Sequence, residues 1–308
     1  MQNLSQEELN AFNIKNVKII RKERPMALEH HKKIIPINVD RNVSPKEYVD
    51  HAKNDMLVVS SLFFTFQGEG PFTGHPAVFL RLAGCNIGEK SDCDFCDTQF
   101  ALKDGQTWGI RELSKKLEDT AQGKASLLVV TGGEPLLQEK TLSYLIQYLQ
   151  TKGTVFKEFQ IETNGSYLKD DSFLFRDTGE HLKNVHVVIS PKSSAALGKY
   201  PKAKDTWYRT QGKPKTYLKY VLSSDPESRY HQVPSDVLNY ARDTGTPVYV
   251  SGMAHYLKSY PAGRISSIWH SDEIDFEQTG KNYRHTAQYA LAHGLIVSYQ
   301  QHLFGAVE

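Results

Sequence analysis

The sequence predicts an α/β fold with a parallel β-sheet, on three observations. Short β-branched and aromatic segments recur through residues 57–300, as is typical of strands. Segments with apolar residues at helical spacing lie between several of them. Polar, glycine-rich turns follow four of the strands. Strands separated by helices form right-handed βαβ units, which build parallel sheets.

The elements follow one another along the chain. The predicted strands are 57–65, 77–84, 126–133, 158–165, 184–192, 216–224, 247–253 and 295–300. The predicted helices are 109–121, 141–153, 235–245 and 285–294. In the first helix Ile110, Leu113 and Leu117 share one face, and Gly153 ends the second helix.

The chain divides into two parts of different composition. Residues 1–55 are polar and predict an N-terminal extension, whereas residues 56–308 carry the alternating pattern of a core domain. Two irregular stretches, near 193–215 and 254–284, are interpreted as insertions in that domain.

Charge and hydropathy exclude several classes of protein. The net charge is +2, too near balance to indicate nucleic-acid binding. A basic stretch at 199–219 is interleaved with aromatic residues, but a solvated loop or an anionic small-molecule site explains it as well, so direct nucleic-acid binding is not favoured. No apolar run approaches the roughly 18 residues that span a bilayer. The N-terminus lacks the pattern of a signal peptide, and three clustered cysteines offer no disulfide framework, which together predict a reducing cytoplasm.

All three cysteines lie in one short segment, at Cys85, Cys93 and Cys96. A structural zinc site would need a fourth ligand, for which His75 or His302 is a candidate. A thioredoxin-like pair would leave Cys85 without a role. A 4Fe–4S cluster held by three thiolates would keep one iron open for a substrate or cofactor.

The cysteine segment is one of four polar segments that follow predicted strands. The others are 132–134, 163–165 and 190–192. Because parallel sheets bind ligands at the carboxyl ends of their strands, these four segments predict one site at one rim.

Several motifs together resemble one family of the radical S-adenosylmethionine (SAM) superfamily, the 7-carboxy-7-deazaguanine synthases, or QueE family. The superfamily usually has three residues in the first cysteine gap, where this chain has seven, and some family members carry a lengthened gap. The resemblance covers about residues 57–308. The motifs that carry it are FFTFQGEGPFTGHPAVFLRLAGC, CNIGEKSDCDFCDT, TGGEP, ETNG, ISPK and SYQQHLFG.

The resemblance implies a truncated, partial (β/α) barrel with a 4Fe–4S cluster, SAM and Mg²⁺ as cofactors. It implies that a SAM-derived radical takes hydrogen from 6-carboxy-5,6,7,8-tetrahydropterin, whose ring then contracts with loss of ammonia to give 7-carboxy-7-deazaguanine. It further implies a homodimer that receives electrons from a reductase or flavodoxin-type donor.

The resemblance also nominates site residues, none of them as an acid or base. The cluster ligands would be Cys85, Cys93 and Cys96, with Thr98 as a ligand of Mg²⁺. The SAM contacts would be Gly133, Glu134, Ser190, Pro191 and Lys192. The substrate contacts would be Phe66, Gln67, Gly68, Arg81, Thr131 and Glu308.

Two positions depart from the family pattern. Ser251 stands where the family has a glutamine facing SAM, and the segment between His302 and Gly305 is one residue shorter than expected. Glu162 and Asn164 are predicted to line the same rim without an assigned role.

Two alternatives share part of these features. Another radical SAM enzyme, such as an activase of a glycyl-radical enzyme, would share the cysteines and the GGEP motif but not FQGEG, Arg81 or the terminal QQH segment. A non-enzymatic zinc module would use the cysteines alone.

Overall fold

A computed structural model describes residues 56–87, 96, 98–102, 105–168, 182–192, 215–255 and 274–300. These residues all belong to one compact unit, Pro36–Glu308. The predicted N-terminal extension, residues 1–55, lies outside the described residues, as do most of the predicted insertions. Their boundaries therefore stay predictions.

The described residues form one sheet of nine strands. In chain order the strands are β1 (Met56–Phe66), β2 (Pro76–Leu82), β3 (Gln106–Gly109), β4 (Leu127–Gly132), β5 (Glu158–Thr163), β6 (Val185–Ile189), β7 (Lys215–Leu222), β8 (Val248–Gly252) and β9 (Ile296–Val297). Their order in the sheet is β3-β1-β2-β4-β5-β6-β7-β8-β9. Within this described set β3 and β9 form the two edges, so the sheet is open.

The sheet is parallel from β2 to β9, as the sequence predicts, but its first part is antiparallel. β1 pairs with both β2 and β3 in the antiparallel sense. The connection from β1 to β2, residues 67–75, contains only a 3-10 turn at Gly70–Phe72. A parallel pairing needs a crossover of a dozen or more residues, so this short connection forces a hairpin.

Four helices are described: α1 (Ile110–Ala121), α2 (Glu139–Lys152), α3 (Ser235–Thr244) and α4 (Phe276–His293). The apolar face of α1 buries Leu113 and Leu117, and that of α2 buries Leu145 and Ile146, in the main hydrophobic core. The fold is therefore mixed α/β, as predicted. No helix among the described residues is long and apolar enough to cross a membrane.

The last helix begins earlier than the sequence pattern predicts. α4 starts at Phe276 rather than at residue 285, so residues 276–284 are helical. Asp275 is its N-cap, because the side chain accepts a hydrogen bond from the backbone N–H of Gln278. Polar residues around Gly280 hid this first half of the helix from a search for apolar periodicity.

Successive side chains of a strand point to opposite sides of the sheet, so one side faces the helices and the other does not. In β5, Phe159 and Ile161 belong to the core that the helices cover. Gln160 and Glu162 point to the opposite side, which we call the inner face. Gln160 is buried and Glu162 half-buried, so both polar side chains need partners, which come from neighbouring strands and loops.

Candidate functional site

The cysteine segment begins where β2 ends. Gly84 has φ +94°, a conformation that favours glycine, and turns the chain into Cys85. The side chains of Cys85 and Cys96 are both half-buried. Cys93 lies outside the described residues. Both side chains are therefore partly exposed, and a group bound at this rim could reach them.

The glycine turn after β4 packs directly against this segment. A Cβ on Gly133 would lie 2.2 Å from the backbone oxygen of Gly84 and 2.8 Å from the Cβ of Cys85. A Cβ on Gly132, whose φ is +146°, would lie 2.2 Å from the backbone oxygen of Leu82. Both glycines are required by the close approach of two backbones, so the turn fixes the position of Cys85.

The side chain of Glu134, at the end of this turn, is held by three hydrogen bonds. The carboxylate is entirely buried and accepts hydrogen bonds from the backbone N–H of Leu136 at 2.9 Å, the backbone N–H of Asn164 at 2.7 Å and the hydroxyl of Thr163 at 2.7 Å. Burial raises the pKa of Glu134 from 4.5 to about 7, although these hydrogen bonds and the charge of Lys192 lower it. The carboxylate thus joins the ends of β4 and β5.

Asn86 ties the cysteine segment to the loop after β5. Its Oδ1 accepts from Asn164 Nδ2 at 2.9 Å, and its Nδ2 donates to Ser166 Oγ at 2.7 Å. Asn164 Oδ1 in turn accepts from the backbone N–H of Ser166. We call residues 84–86, 132–134 and 163–166 the cofactor loops, because this bonding makes them one unit.

Gln138 anchors the cofactor loops to the sheet. Its side chain is fully buried and bonds both the N–H and the C=O of Val58 and the C=O of Ala83. An amide that satisfies three backbone groups of β1 and β2 holds the segment after the GGEP turn in place.

The segment after β6 reaches the same rim. The Ser190 backbone N–H donates to the carbonyl of Thr163, and Lys192 Nζ donates to Ser190 Oγ at 3.0 Å. Pro191 between them is buried. Lys192 acts electrostatically on Glu134, so it lies near the cofactor loops. The structure therefore brings the nominated SAM residues of β4 and β6 to one rim.

Thr98 lies beside Cys96, one of the nominated cluster ligands. Its hydroxyl is 3.8 Å from Cys96 Sγ, within hydrogen-bond range of a sulfur atom. Histidine, cysteine and carboxylate side chains do not gather in a metal-binding group of three or more among the described residues. The role of Thr98 as a ligand of Mg²⁺ stays a prediction.

The nominated substrate residues meet on the inner face around Glu162. Gln67 Nε2 donates to Glu162 Oε1 at 2.9 Å, and Thr131 Oγ1 donates to Oε2 at 3.2 Å. Gln160 Nε2 adds a third bond, at 3.1 Å. Arg81 is the neighbour of Thr131 in the register of β2 and β4 and is buried.

A buried ion pair lies beside this carboxylate. Lys219, on the inner face of β7, contacts the Glu69 carboxylate, and both side chains are nearly buried. Gln300 Nε2 donates to Glu69 Oε1 at 2.9 Å. Gln160 Nε2 lies 3.4 Å from the Glu69 backbone oxygen, so it links Glu69 to Glu162. We call Glu69, Glu162 and Lys219 the charged cluster.

Burial raises the pKa of Glu162. The charge of Lys219 acts against this and lowers the pKa, whereas the charge of Glu69 raises it. The hydrogen bonds from Gln67 and Thr131 also lower it. The ionisation of Glu162 therefore depends on both members of the ion pair.

The remaining residues nominated for the substrate differ in burial, and one of them is not described. Gly68 is buried next to Gln67, and Phe66, at the end of β1, is 38% exposed. The Arg81 guanidinium lies 5.6 Å from the ring centroid of Phe63, which stacks on Phe79. Glu308 lies outside the described residues, together with the rest of 301–308.

Ser251 is fully buried on the inner side of β8. Its hydroxyl has no hydrogen-bond partner among the described residues. Sequence reasoning noted Ser251 as a departure from the family but missed Glu69, Lys219, Gln160 and Gln300. A lysine in the strand segment TYLKYVL was the available signal, since a buried charge needs a partner.

The position of His75 rules it out as a zinc ligand with Cys85. His75 precedes β2 and Cys85 follows it, with seven strand residues between them. At about 3.3 Å per residue these two side chains are separated by roughly 20 Å or more. His302 lies outside the described residues.

Comparison with known proteins adds independent observations. Residues 66–206 match the model of a 4Fe-4S single cluster domain. The chain is 36% identical over 201 residues to a 7-carboxy-7-deazaguanine synthase from Hyperthermus butylicus, a match that covers 64% of this chain and 75% of that protein.

Other relatives bear the same name. The protein from Burkholderia multivorans is 34% identical over 178 residues, covering 50% of this chain and 80% of its own length. The protein from Rhodospirillum rubrum is 37% identical over 152 residues, covering 49% of this chain and 56% of its own length. The crystal structure of QueE from Escherichia coli matches with a TM-score of 0.49 and 19% identity, over 83% of this chain and 98% of that one.

Proposed function

The chain belongs to the 7-carboxy-7-deazaguanine synthase family, and we propose that it converts 6-carboxy-5,6,7,8-tetrahydropterin to 7-carboxy-7-deazaguanine by ring contraction with loss of ammonia. The family prediction made from the sequence motifs is thus confirmed. The enzyme is a radical SAM lyase of deazapurine and queuosine biosynthesis. When bound, the cluster and SAM supply the radical chemistry that starts the rearrangement.

One observation carries the proposal. Gln67 and Thr131, which the resemblance assigns to the substrate, donate to the same carboxylate, Glu162. Arg81 is the register neighbour of Thr131 on β2, the strand that leads to Cys85. The residues nominated for the substrate would therefore lie near the nominated cluster ligand Cys85, at one rim of the sheet.

The chemistry of these groups fits the two ends of the substrate. The pyrimidine edge of a pterin presents N–H donors, and Glu162, three of whose roughly four acceptor positions are filled, has one left for such a donor. The substrate carboxylate matches the planar guanidinium of Arg81. Contacts at both ends fix the orientation of the ring relative to the radical source.

The cofactor loops fit a cluster and SAM. Cys85, Cys93 and Cys96 would hold the cluster and leave one iron open. Gly133 would present its backbone to SAM, and Ser190, Pro191 and Lys192 would bind SAM from the neighbouring strand. Glu134 is the fifth residue that the resemblance assigns to SAM.

The Glu134 carboxylate both holds the turn after β4 and could bind SAM directly. A carboxylate has about four acceptor positions, of which three protein donors fill three, so one remains for the methionyl ammonium.

Several further features are part of the proposal. Thr98 would bind Mg²⁺ through its hydroxyl, and the ion would neutralise the substrate carboxylate. The enzyme would act as a homodimer that accepts electrons from a reductase or flavodoxin-type donor. The enzyme would work in a reducing cytoplasm, where three clustered cysteines stay available to a cluster. Glu308 would reach the substrate from the C-terminal segment.

An anaerobic assay tests the proposal. The protein is reconstituted with iron and sulfide, and SAM, Mg²⁺, a reductant and 6-carboxytetrahydropterin are added. Mass spectrometry should detect 7-carboxy-7-deazaguanine from the wild type and none from Cys96→Ala. Cleavage of SAM to 5′-deoxyadenosine without this product would contradict the substrate, and absence of any cluster would contradict the enzyme class.

A further inference from the structure

We propose that the buried ion pair of Glu69 and Lys219 positions the Glu162 carboxylate for the substrate and sets the pH range in which it binds. This inference rests on the proposed function, because it assumes that Glu162 receives the donor edge of the pterin. It assigns a role to two residues that do not themselves need to touch the substrate.

The contacts form a continuous path. Lys219 contacts the Glu69 carboxylate, and the Glu69 backbone oxygen lies 3.4 Å from Gln160 Nε2. The same Gln160 nitrogen donates to Glu162 at 3.1 Å. Displacement of Glu69 would therefore move Gln160, which fixes one oxygen of Glu162.

A second path runs through the loop that follows β1. The Glu69 backbone N–H donates to Gln67 Oε1 at 3.1 Å, and Gln67 Nε2 donates to Glu162 at 2.9 Å. Gln67 and Gln160 both reach Oε1 of Glu162. Glu69 thus orients both amides that hold this oxygen, while Lys219 and Gln300 hold Glu69.

The charges of Lys219 and Glu69 also act on Glu162. The charged cluster carries two carboxylates and one ammonium, so its formal charge is −1 when all three groups are ionised. The side chains of Lys219 and Glu69 are only 12% and 11% exposed, so their charges are weakly screened. A buried charge that loses its partner is strongly unfavourable, so neither member of the pair is dispensable.

The groups around Glu162 come from each neighbouring element. Lys219 of β7 and Glu69 of the β1–β2 connection are the charged groups that act on it. β4 contributes the neutral hydroxyl of Thr131, and the register neighbour on β6 is the apolar Val188. Tyr283 of α4 interacts electrostatically with Glu69.

Substitutions of Lys219 and Glu69 should shift the pH dependence in opposite directions, which a purely structural role of the pair would not produce. Lys219 lowers the pKa of Glu162, so Lys219→Met should move the acid limb of kcat/KM to higher pH and raise KM about tenfold near pH 7. Glu69 raises that pKa, so Glu69→Gln should move the acid limb to lower pH. Lys219→Arg keeps the charge and should leave the limb where it is in the wild type.

The measurement is a pH series of steady-state product formation by the cluster-loaded enzyme under anaerobic conditions. Lys281→Met is the matched control, because Lys281 forms an exposed ion pair with Glu277 on α4, and it should change neither KM nor the pH profile. The inference is overturned if Lys219→Met and Glu69→Gln shift the limb in the same direction or not at all. If Lys219→Met does not fold, a downward shift in Glu69→Gln supports the inference, and an unchanged or upward shift overturns it.

The outcomes separate this inference from the proposed function. A wild type that makes no 7-carboxy-7-deazaguanine contradicts the proposed function before any variant is compared. A wild type that makes the product, with no opposite shifts in the variants, contradicts only the role of the ion pair.

Discussion

Two glutamates lie at the carboxyl ends of neighbouring strands, Glu134 after β4 and Glu162 in β5, and they are bound by different groups. Glu134 is fully buried, and two of its three donors are backbone N–H groups of adjacent turns. Glu162 is half-buried, and its donors are side chains on the inner face. The kind of partner, more than the degree of burial, distinguishes the carboxylate that joins the cofactor loops from the one that faces the proposed substrate.

The same difference extends to the two halves of the site. The cofactor loops are joined by backbone contacts and neutral amides, such as those of Asn86 and Asn164. The substrate half is joined by charges, those of Glu69, Glu162 and Lys219. Changes in the first half should therefore act on stability and cluster retention, and changes in the second on substrate binding and its pH dependence.

Gly133→Ala should have the largest effect. Its Cβ would lie 2.2 Å from the backbone oxygen of Gly84, and no side chain there can move aside. We expect a loss of about 3 kcal/mol or more in the free energy of unfolding and little bound iron. Denaturant unfolding and iron analysis measure both.

Gly280→Ala is the control for this change. Gly280 lies inside α4, and nothing lies within 4 Å of a Cβ placed on it. Alanine should stabilise the helix by up to about 1 kcal/mol. Equal iron content and stability in the two variants would show that the close approach at Gly133 is unimportant.

Glu134→Gln should change how stability depends on pH. Because the pKa of Glu134 is raised from 4.5 to about 7, the folded state binds the proton more tightly than the unfolded chain. This contribution to stability is fully present below pH 4.5 and is lost as the pH rises to about 7, a difference of about 3 kcal/mol. The variant should lack this part of the decline.

Urea unfolding of the anaerobic, cluster-loaded protein at pH values between the two pKa values and above them measures this change. Glu118→Gln, which removes a surface ion pair with Lys152, is the control and should keep the wild-type slope. A Glu134→Gln protein with the wild-type slope would mean that Glu134 does not titrate in this range.

Arg81→Lys tests the other end of the substrate site. Lysine keeps the positive charge but loses the planar pair of donors and the guanidinium contact with Phe63, at 5.6 Å. We expect kcat/KM to fall about tenfold with an unchanged urea midpoint. A lower midpoint with normal kcat/KM would instead assign Arg81 to the packing of the inner face.

Asn86→Ala should have the smallest effect of the four. It removes the hydrogen bonds to Asn164 and Ser166 and should cost about 1–2 kcal/mol. We expect faster release of iron to a chelator, with KM for the pterin unchanged. Asn239→Ala, on the surface of α3, is the control. If Asn86→Ala released iron as slowly as this control, the hydrogen bonds of Asn86 would not help to retain the cluster.

Most of the fold and part of the site could be predicted from the sequence. The central strands are continuous β-branched runs, and the motifs nominated Gln67, Thr131 and Arg81. The antiparallel start was missed because the length of the 67–75 connection was not weighed against a crossover. The N-cap at Asp275 was the signal for the true start of α4.

The charged cluster could not be predicted in the same way. Glu69 and Lys219 are 150 positions apart, and Gln67 and Glu162 are 95 apart. Glu162 and Lys219 share the inner face through the register of β5 to β7, and the connection between β1 and β2 places Gln67 and Glu69 against them. No local pattern in the sequence carries that register.

The binding of 6-carboxytetrahydropterin to Glu162→Gln and Glu134→Gln is the most direct test of the division between the two glutamates. Anaerobic equilibrium dialysis with SAM and an unreduced cluster measures the Kd without turnover. The account predicts that Glu162→Gln weakens binding about tenfold or more while Glu134→Gln leaves it within about twofold of the wild type. Weaker binding in Glu134→Gln than in Glu162→Gln, or unchanged binding in Glu162→Gln, would contradict it.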